Sequence, residues 1–234
     1  MEIQRTSSHQ VYITNPDEIP LPKLVHPAGT QILQKLFGFS QVSLSQNAQG
    51  TPIVTYQFGT FHQEAREIPI TRLVVEDRRI LLDVEDEMIY ADAVYLKLVE
   101  ELKVLSGSIA IDYLAPKVKA QESEIVTHLN FPADRLISSQ LYDFINNTLQ
   151  PMTTSDIATS AINFGQIVLI VQFKSLDSAL EKSSITLNPK EFIIAPRPGI
   201  PVEEQIYITK APIDTERHKE LLIALENALR QEVA

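Results

Sequence analysis

The stretch IPITRLVVEDRRILLDV, residues 68–84, together with the periodic run that follows it, decides the fold class. Ile68–Val75 and Ile80–Val84 are two runs rich in β-branched and aliphatic residues, joined by the polar loop Glu76-Asp77-Arg78-Arg79, which is a hairpin pattern. Pro69 has no N–H to give a ladder, so it belongs at the start or edge of its strand. Directly after the hairpin, Ala91, Val94, Tyr95, Leu98, Leu102 and Leu105 recur at steps of mostly three and four, the period of a helix with one buried face. A hairpin feeding a helix gives an α+β chain, with antiparallel or mixed sheets and flanking helices.

Upstream, Gln10–Thr14 reads as a short strand, and Pro16, Pro20 and Pro22 break the segment after it. A short amphipathic helix is expected over about Gly29–Phe37, with Gly38 just past its end. Gln41–Leu44 and Pro52–Phe58 form a second hairpin pattern around the turn Asn47–Gly50.

Downstream, Ile109–Leu114 and Glu124–Phe131 read as strands separated by the mostly polar Lys117–Ser123. A helix is expected over about Ala133–Leu149, ending near Pro151. Ala161–Phe173 is the strongest strand pattern; its core Ile167-Val168-Leu169-Ile170-Val171 is apolar on both faces, as in a central strand. Ser184–Leu187 and Phe192–Ala195 flank a turn at residues 188–191, and Gln205–Thr209 is a further strand. The proline-rich Pro196–Pro201 is expected as a stiffened connection. A helix begins near Thr215 behind Asp214, with Leu221, Leu222, Leu225 and Leu229 as its apolar stripe.

The order helix, long strand, hairpin, helix occurs twice, which divides the chain into α+β halves at 1–107 and 108–234 and suggests an internal duplication. Pro196–Pro212 is then a second-half insertion, and a site is expected between the halves.

Composition narrows the chemistry. The 234 residues contain no cysteine, which excludes disulfide frameworks, thiolate metal sites and thiol nucleophiles and fits a reducing cytoplasm. MEIQRTSSHQ has no apolar core segment of the signal-peptide kind, and no apolar run approaches the ~20 residues of a membrane helix. Twenty Lys and Arg against 30 Asp and Glu give a net charge of −10, a field that repels phosphate backbones, so no nucleic-acid partner is expected.

No glycine-rich phosphate loop and no GxSxG elbow occurs. The histidines at 9, 26, 62, 128 and 218 form no HxH or HExxH pair, so neither a metal nor a cofactor is expected. The acidic run Asp83–Glu87 suits the positive end of the following helix and needs no ligand. The sequence therefore points first to a non-catalytic cytoplasmic protein that binds another protein or itself. The alternative is an enzyme or small-molecule binder whose site assembles dispersed residues: His62, Glu64, Asp112, Tyr113 and His128.

Overall fold

The computed structural model describes residues 1–15, 18–107, 116, 118–144, 165–171 and 189–230. The chain is α+β, and its strands pair antiparallel in a mixed set of strands and helices. It divides into two compact units, one made of Arg5–Ser123 with Ile213–Thr215, the other of Met1–Gln4, Glu124–Pro212 and Glu216–Ala234.

The first unit contains β1 (Glu2–Ile13, from Arg5 on), α1 (Leu21–Val25), α2 (Pro27–Leu36), β2 (Gln41–Gln46), β3 (Pro52–Gln63), β4 (Arg66–Val75), β5 (Arg79–Val84), α3 (Met88–Ser106) and the start of β6 (Val118–His128). Its strand order is β2-β3-β4-β5-β1-β6. Alternation puts Val54, Tyr56, Leu73, Val75, Ile80, Leu82 and Tyr12 on one face, where they form a core with Ala91, Val94, Tyr95, Leu98 and Leu102 of α3.

The opening hairpin holds as read, with Val75 opposite Ile80 and Leu73 opposite Leu82. Pro69 is the fourth residue of β4, not the first. The β4–β5 register ends at Ile70–Val84, and the Pro69 carbonyl accepts from Glu85 N at 3.0 Å. Pro69 thus sits just beyond the last residue pair of that ladder, where its missing N–H interrupts no interior pair. Gly107, in the left-handed conformation with φ 73°, closes α3 through an N–H bond to Val104 O.

Pro22, read as a breaker, instead lies in the first turn of α1, and Pro27 lies in that of α2, where a missing N–H costs nothing. Gly29 lets the two helices meet, since a Cβ there would sit 2.1 Å from Lys23 O. β1 is 12 residues long, not the five expected from Gln10–Thr14. Its polar inward positions hid it: Ser8 Oγ donates to Asp86 O at 3.1 Å and Gln10 Nε2 to Asp92 Oδ1 at 3.0 Å, while Gln10 Oε1 is buried without a partner among the described residues.

The second unit contains the ends of β1 and β6, a 3-10 turn (Ala133–Leu136), α4 (Ser139–Phe144), β7 (Ile167–Val171), β8 (Lys190–Pro196), β9 (Ile206–Ala211) and α5 (Thr215–Arg230, from Glu216 on). Its strand order is β1-β6-β9-β8-β7. Ile125, Leu129, Phe131, Ile194, Tyr207 and Leu222 form its core.

Five expectations are corrected here. The described part of the polar link, from Val118, and the strand expected after it as far as His128 are one strand, β6. The helix expected over Ala133–Leu149 is interrupted: Ile137 is extended at φ −114° and ψ 155°, and Ser138 Oγ accepts from Leu141 N to start α4. The hairpin partner of β8 is β9, with Ala195 opposite Ile208, so Pro196–Pro201 lies in the hairpin connection and is no insertion. Lys190 and Glu191, expected in a turn, belong to β8 itself. Finally, Ile167–Val171, expected as a central strand, ends the strand order among the described residues. Ile109–Leu114, Ser184–Leu187 and the end of the Ala133–Leu149 helix lie outside the described residues.

Candidate functional site

The chemistry-bearing residues expected from sequence do not form a cluster among those described. His62, near the end of β3, faces Glu67 across the β3–β4 ladder at 3.8 Å in an exposed pair. Glu64 occupies the turn after it, with φ 54°. His128 ends β6 in the second unit. Asp112 and Tyr113 lie outside the described residues. No group of three or more His, Asp or Glu with metal-holding geometry occurs among the described residues.

Three carboxylates of the first unit are held instead in ion pairs and hydrogen bonds that tie elements together. Asp92 Oδ1, on α3, accepts from Gln10 Nε2 (3.0 Å), Tyr12 Oη (3.1 Å) and Lys119 Nζ (2.6 Å). The Tyr12 ring stacks on Tyr95 at 3.6 Å between centroids, and burial, then the Asp92 charge, drives its phenol far above the ordinary range. Asp86 is bidentate to Arg66, whose guanidinium also lies 4.3 Å over the Tyr90 ring. Asp83 takes Arg72 Nε at 2.7 Å and the His9 ring on the sheet face opposite the core. Burial pushes the Asp83 carboxyl up, but the His9 and Arg72 contacts outweigh it and hold it below its usual range.

In the second unit Glu226 is the inward carboxylate. It accepts from Asn130 N (2.7 Å), Asn130 Nδ2 (2.8 Å) and the Met1 ammonium (3.0 Å). Burial acts to raise it, and those donors together lower it below the ordinary carboxyl range. His218, on the same helix, is fully buried with Phe192 edge-on at 6.2 Å, and burial pushes its imidazole down to about 4. Both residues were missed in the sequence because the leucines drew the stripe. Spacing was the available signal: 218, 222, 226 and 229 lie on one helical face.

The surface carries the more distinctive feature. On the side of α3 away from the core, Ile89 is 68%, Leu96 64% and Val104 75% exposed. Seven residues are close to two helical turns and eight overshoot them by about 80°, so the three fall on one broad side of the helix, with Ala93 and Glu100 between them. A second apolar surface is β7, where Val168, Leu169 and Ile170 are 36%, 57% and 58% exposed at the end of the strand order. That strand has the composition of one covered on both faces.

Among the described residues no helix is long and apolar enough to cross a membrane. No protein-family model, no curated protein and no solved structure matches the chain.

Proposed function

We propose that this is a non-catalytic protein that binds another protein, acting as an interaction or assembly component. The observation that carries the reading is the exposure of Ile89, Leu96 and Val104 on the outer side of a helix whose inner side is core. Large side chains scattered singly over a surface need no explanation, but three on one side of one helix make a surface suited to a partner. The exposed apolar edge of β7 supports the same reading, since natural edge strands are normally blunted by charge, and Ile167–Val171 has none. The absence of cysteine supports work in a reducing cytoplasm, and the −10 charge supports a partner other than nucleic acid.

The test is a paired capture with the full chain and its Leu96→Glu variant as baits, after circular dichroism shows both folded. A protein retained by the parent and lost by the variant, and then reconstituted from purified components, is the expected outcome. Identical captured sets, with both chains monomeric in sedimentation, would refute the reading.

The same proposal includes an origin by duplication. What supports it is topology: the first unit orders its strands β3-β4-β5-β1 with α3 following β5, and the second orders β7-β8-β9-β6 with α5 following β9. β1 is followed by α1 and α2, and β6 by the 3-10 turn and α4. A crystal structure in which α5 covers the opposite sheet face from the one α3 covers, relative to these strand orders, would end the idea.

A further inference from the structure

β2 ends the strand order of the first unit, and no strand lies on its far side among the described residues. Its backbone groups divide by the alternation of an antiparallel ladder. Asn47 N bonds Thr51 O at 2.9 Å, which makes that a hydrogen-bonded pair, so Ser45–Ile53, Ser43–Thr55 and Gln41–Gln57 are the next of the same kind. The N–H and C=O groups of Val42, Leu44 and Gln46 therefore point the other way, out of the sheet edge. The Leu44 side chain marks the same gap: it lies opposite Val54, which is wholly buried in the core, yet is itself 55% exposed. Natural edge strands are normally blunted by charge, proline or a bulge. Gln41–Gln46 carries none of these. Residues 36–63 hold no Asp, Glu, Lys or Arg at all, in a chain with 20 basic and 30 acidic residues.

We infer that β2 pairs antiparallel with β2 of a second copy of this chain, so that the sheet continues across a two-fold axis. Alternating N–H and C=O groups along an edge are matched by another extended strand. What selects this chain's own β2 is self-complementarity. With Leu44 opposite its counterpart, Val42 falls opposite Gln46, and all three outward residues of each strand lie in hydrogen-bonded pairs; a register shifted by two residues leaves one of the three unpaired. The two Leu44 side chains then cover each other on the core side, and Ser43 sits beside Ser45 on the outer side as a hydroxyl pair. Two chains of net charge −10 repel, but this edge brings no carboxylate to the seam, and charges beyond it are screened over about 8 Å at physiological ionic strength. A pair of strands of this length buries less than the ~800 Å² per partner of standard interfaces, so the dimer is a weak one, on the order of micromolar. It uses residues separate from Ile89, Leu96 and Val104 and does not depend on the reading they carry.

In sedimentation the full chain is expected to move from 26.3 kDa toward twice that mass as concentration rises through the micromolar range. Leu44→Lys and Leu44→Glu, each folded by circular dichroism, are expected to weaken the dimer several-fold or more, because each sets like charges directly opposite. Mixed together, the two variants are expected to regain it, a rescue that misfolding would not give. The chain has no native cysteine, so pairing can also be trapped under mild oxidation. Ser43→Cys mixed with Ser45→Cys should give the mixed disulfide several-fold over either self-product. The mixed pair is a non-hydrogen-bonded one with Cα atoms about 4.5 Å apart, whereas like positions are diagonal and roughly 7–8 Å apart, beyond a disulfide's usual reach.

A parent that stays monomeric, Leu44 variants that leave the dimer intact or fail to associate on mixing, or Ser43→Cys linking mainly to itself, overturns the inference. The β2 pairing and the α3 reading fail separately. A dimer weakened by Leu44→Lys, with capture unchanged by Leu96→Glu, upholds the β2 pairing and counts against a partner on α3. A monomeric parent that loses a captured protein on Leu96→Glu overturns the β2 pairing alone.

Discussion

Replacing His218 by a residue that does not titrate is expected to remove a defined part of the protein's acid sensitivity. The imidazole is fully buried in α5, and burial pushes it down to about 4, against an ordinary value near 6.5. The folded state therefore holds the neutral ring, and the unfolded chain takes up the proton first. The stabilisation is fully present above about pH 6.5 and is lost as pH falls toward 4. A difference of about 2.5 units at 1.36 kcal/mol each sets the full loss at roughly 3 kcal/mol, of which about 2 kcal/mol falls between pH 7.5 and 5. Asp83 and Glu226, both held below the ordinary carboxyl range, lose their contribution at lower pH and leave that window to His218. Urea unfolding at pH 7.5 and 5.0, followed by circular dichroism, measures the effect in the parent and in His218→Leu and His218→Gln. Whatever their absolute stabilities, both variants should lose about 2 kcal/mol less than the parent across the interval. Equal losses in all three chains would refute the assignment of a buried neutral imidazole.

Three further outcomes are expected. Glu226→Gln should flatten the stability profile on the acid side of about pH 4.5, because a lowered folded-state carboxyl stabilises above its unfolded value of roughly 4.3 and loses that as pH falls; an unchanged acid limb in thermal melts would count against it. Gly29→Ala should cost about 1–3 kcal/mol, since its Cβ would meet the Lys23 carbonyl at 2.1 Å, while Gly165→Ala, with open space around it, should stay within about 0.5 kcal/mol by chemical denaturation. Asp86→Ala should destabilise by about 1–3 kcal/mol by removing the buried acceptor shared by Arg66 and Glu87 N, and a neutral result in the same assay would show those bonds to be dispensable.

Much of the local architecture was legible in the sequence. The hairpins around Asn47–Gly50 and Glu76–Arg79 and the helix α3 follow from apolar period and turn chemistry, and each appears close to its expected bounds. Asn47 illustrates why: its Oδ1 accepts from Gln49 N and Thr51 N at 2.9 Å each, and Gly50 takes φ 79°, so the turn is set within five residues. The errors fall where a residue's environment comes from far along the chain. β1 was read short because Ser8 and Gln10 are polar, yet their partners Asp86 and Asp92 lie 78 and 82 residues away. His218 and Glu226 were read past because only the fold supplies the enclosure and donors that make an inward polar residue tolerable. Of the candidate site residues, the structure describes His62, Glu64 and His128 and gives each a place on a strand end or turn.

The sequence alone determined the α+β class, the position of most turns, the absence of thiol chemistry and the acidic charge. Those properties depend on composition or on neighbours within a few residues. Only the tertiary structure decided the strand order, the burial of His218 and Glu226, and the exposure of β7 and of one side of α3. Apolar period marks which residues seek cover. It does not say whether the cover comes from this chain, and Ile89, Leu96 and Val104 are where the chain leaves that need unmet.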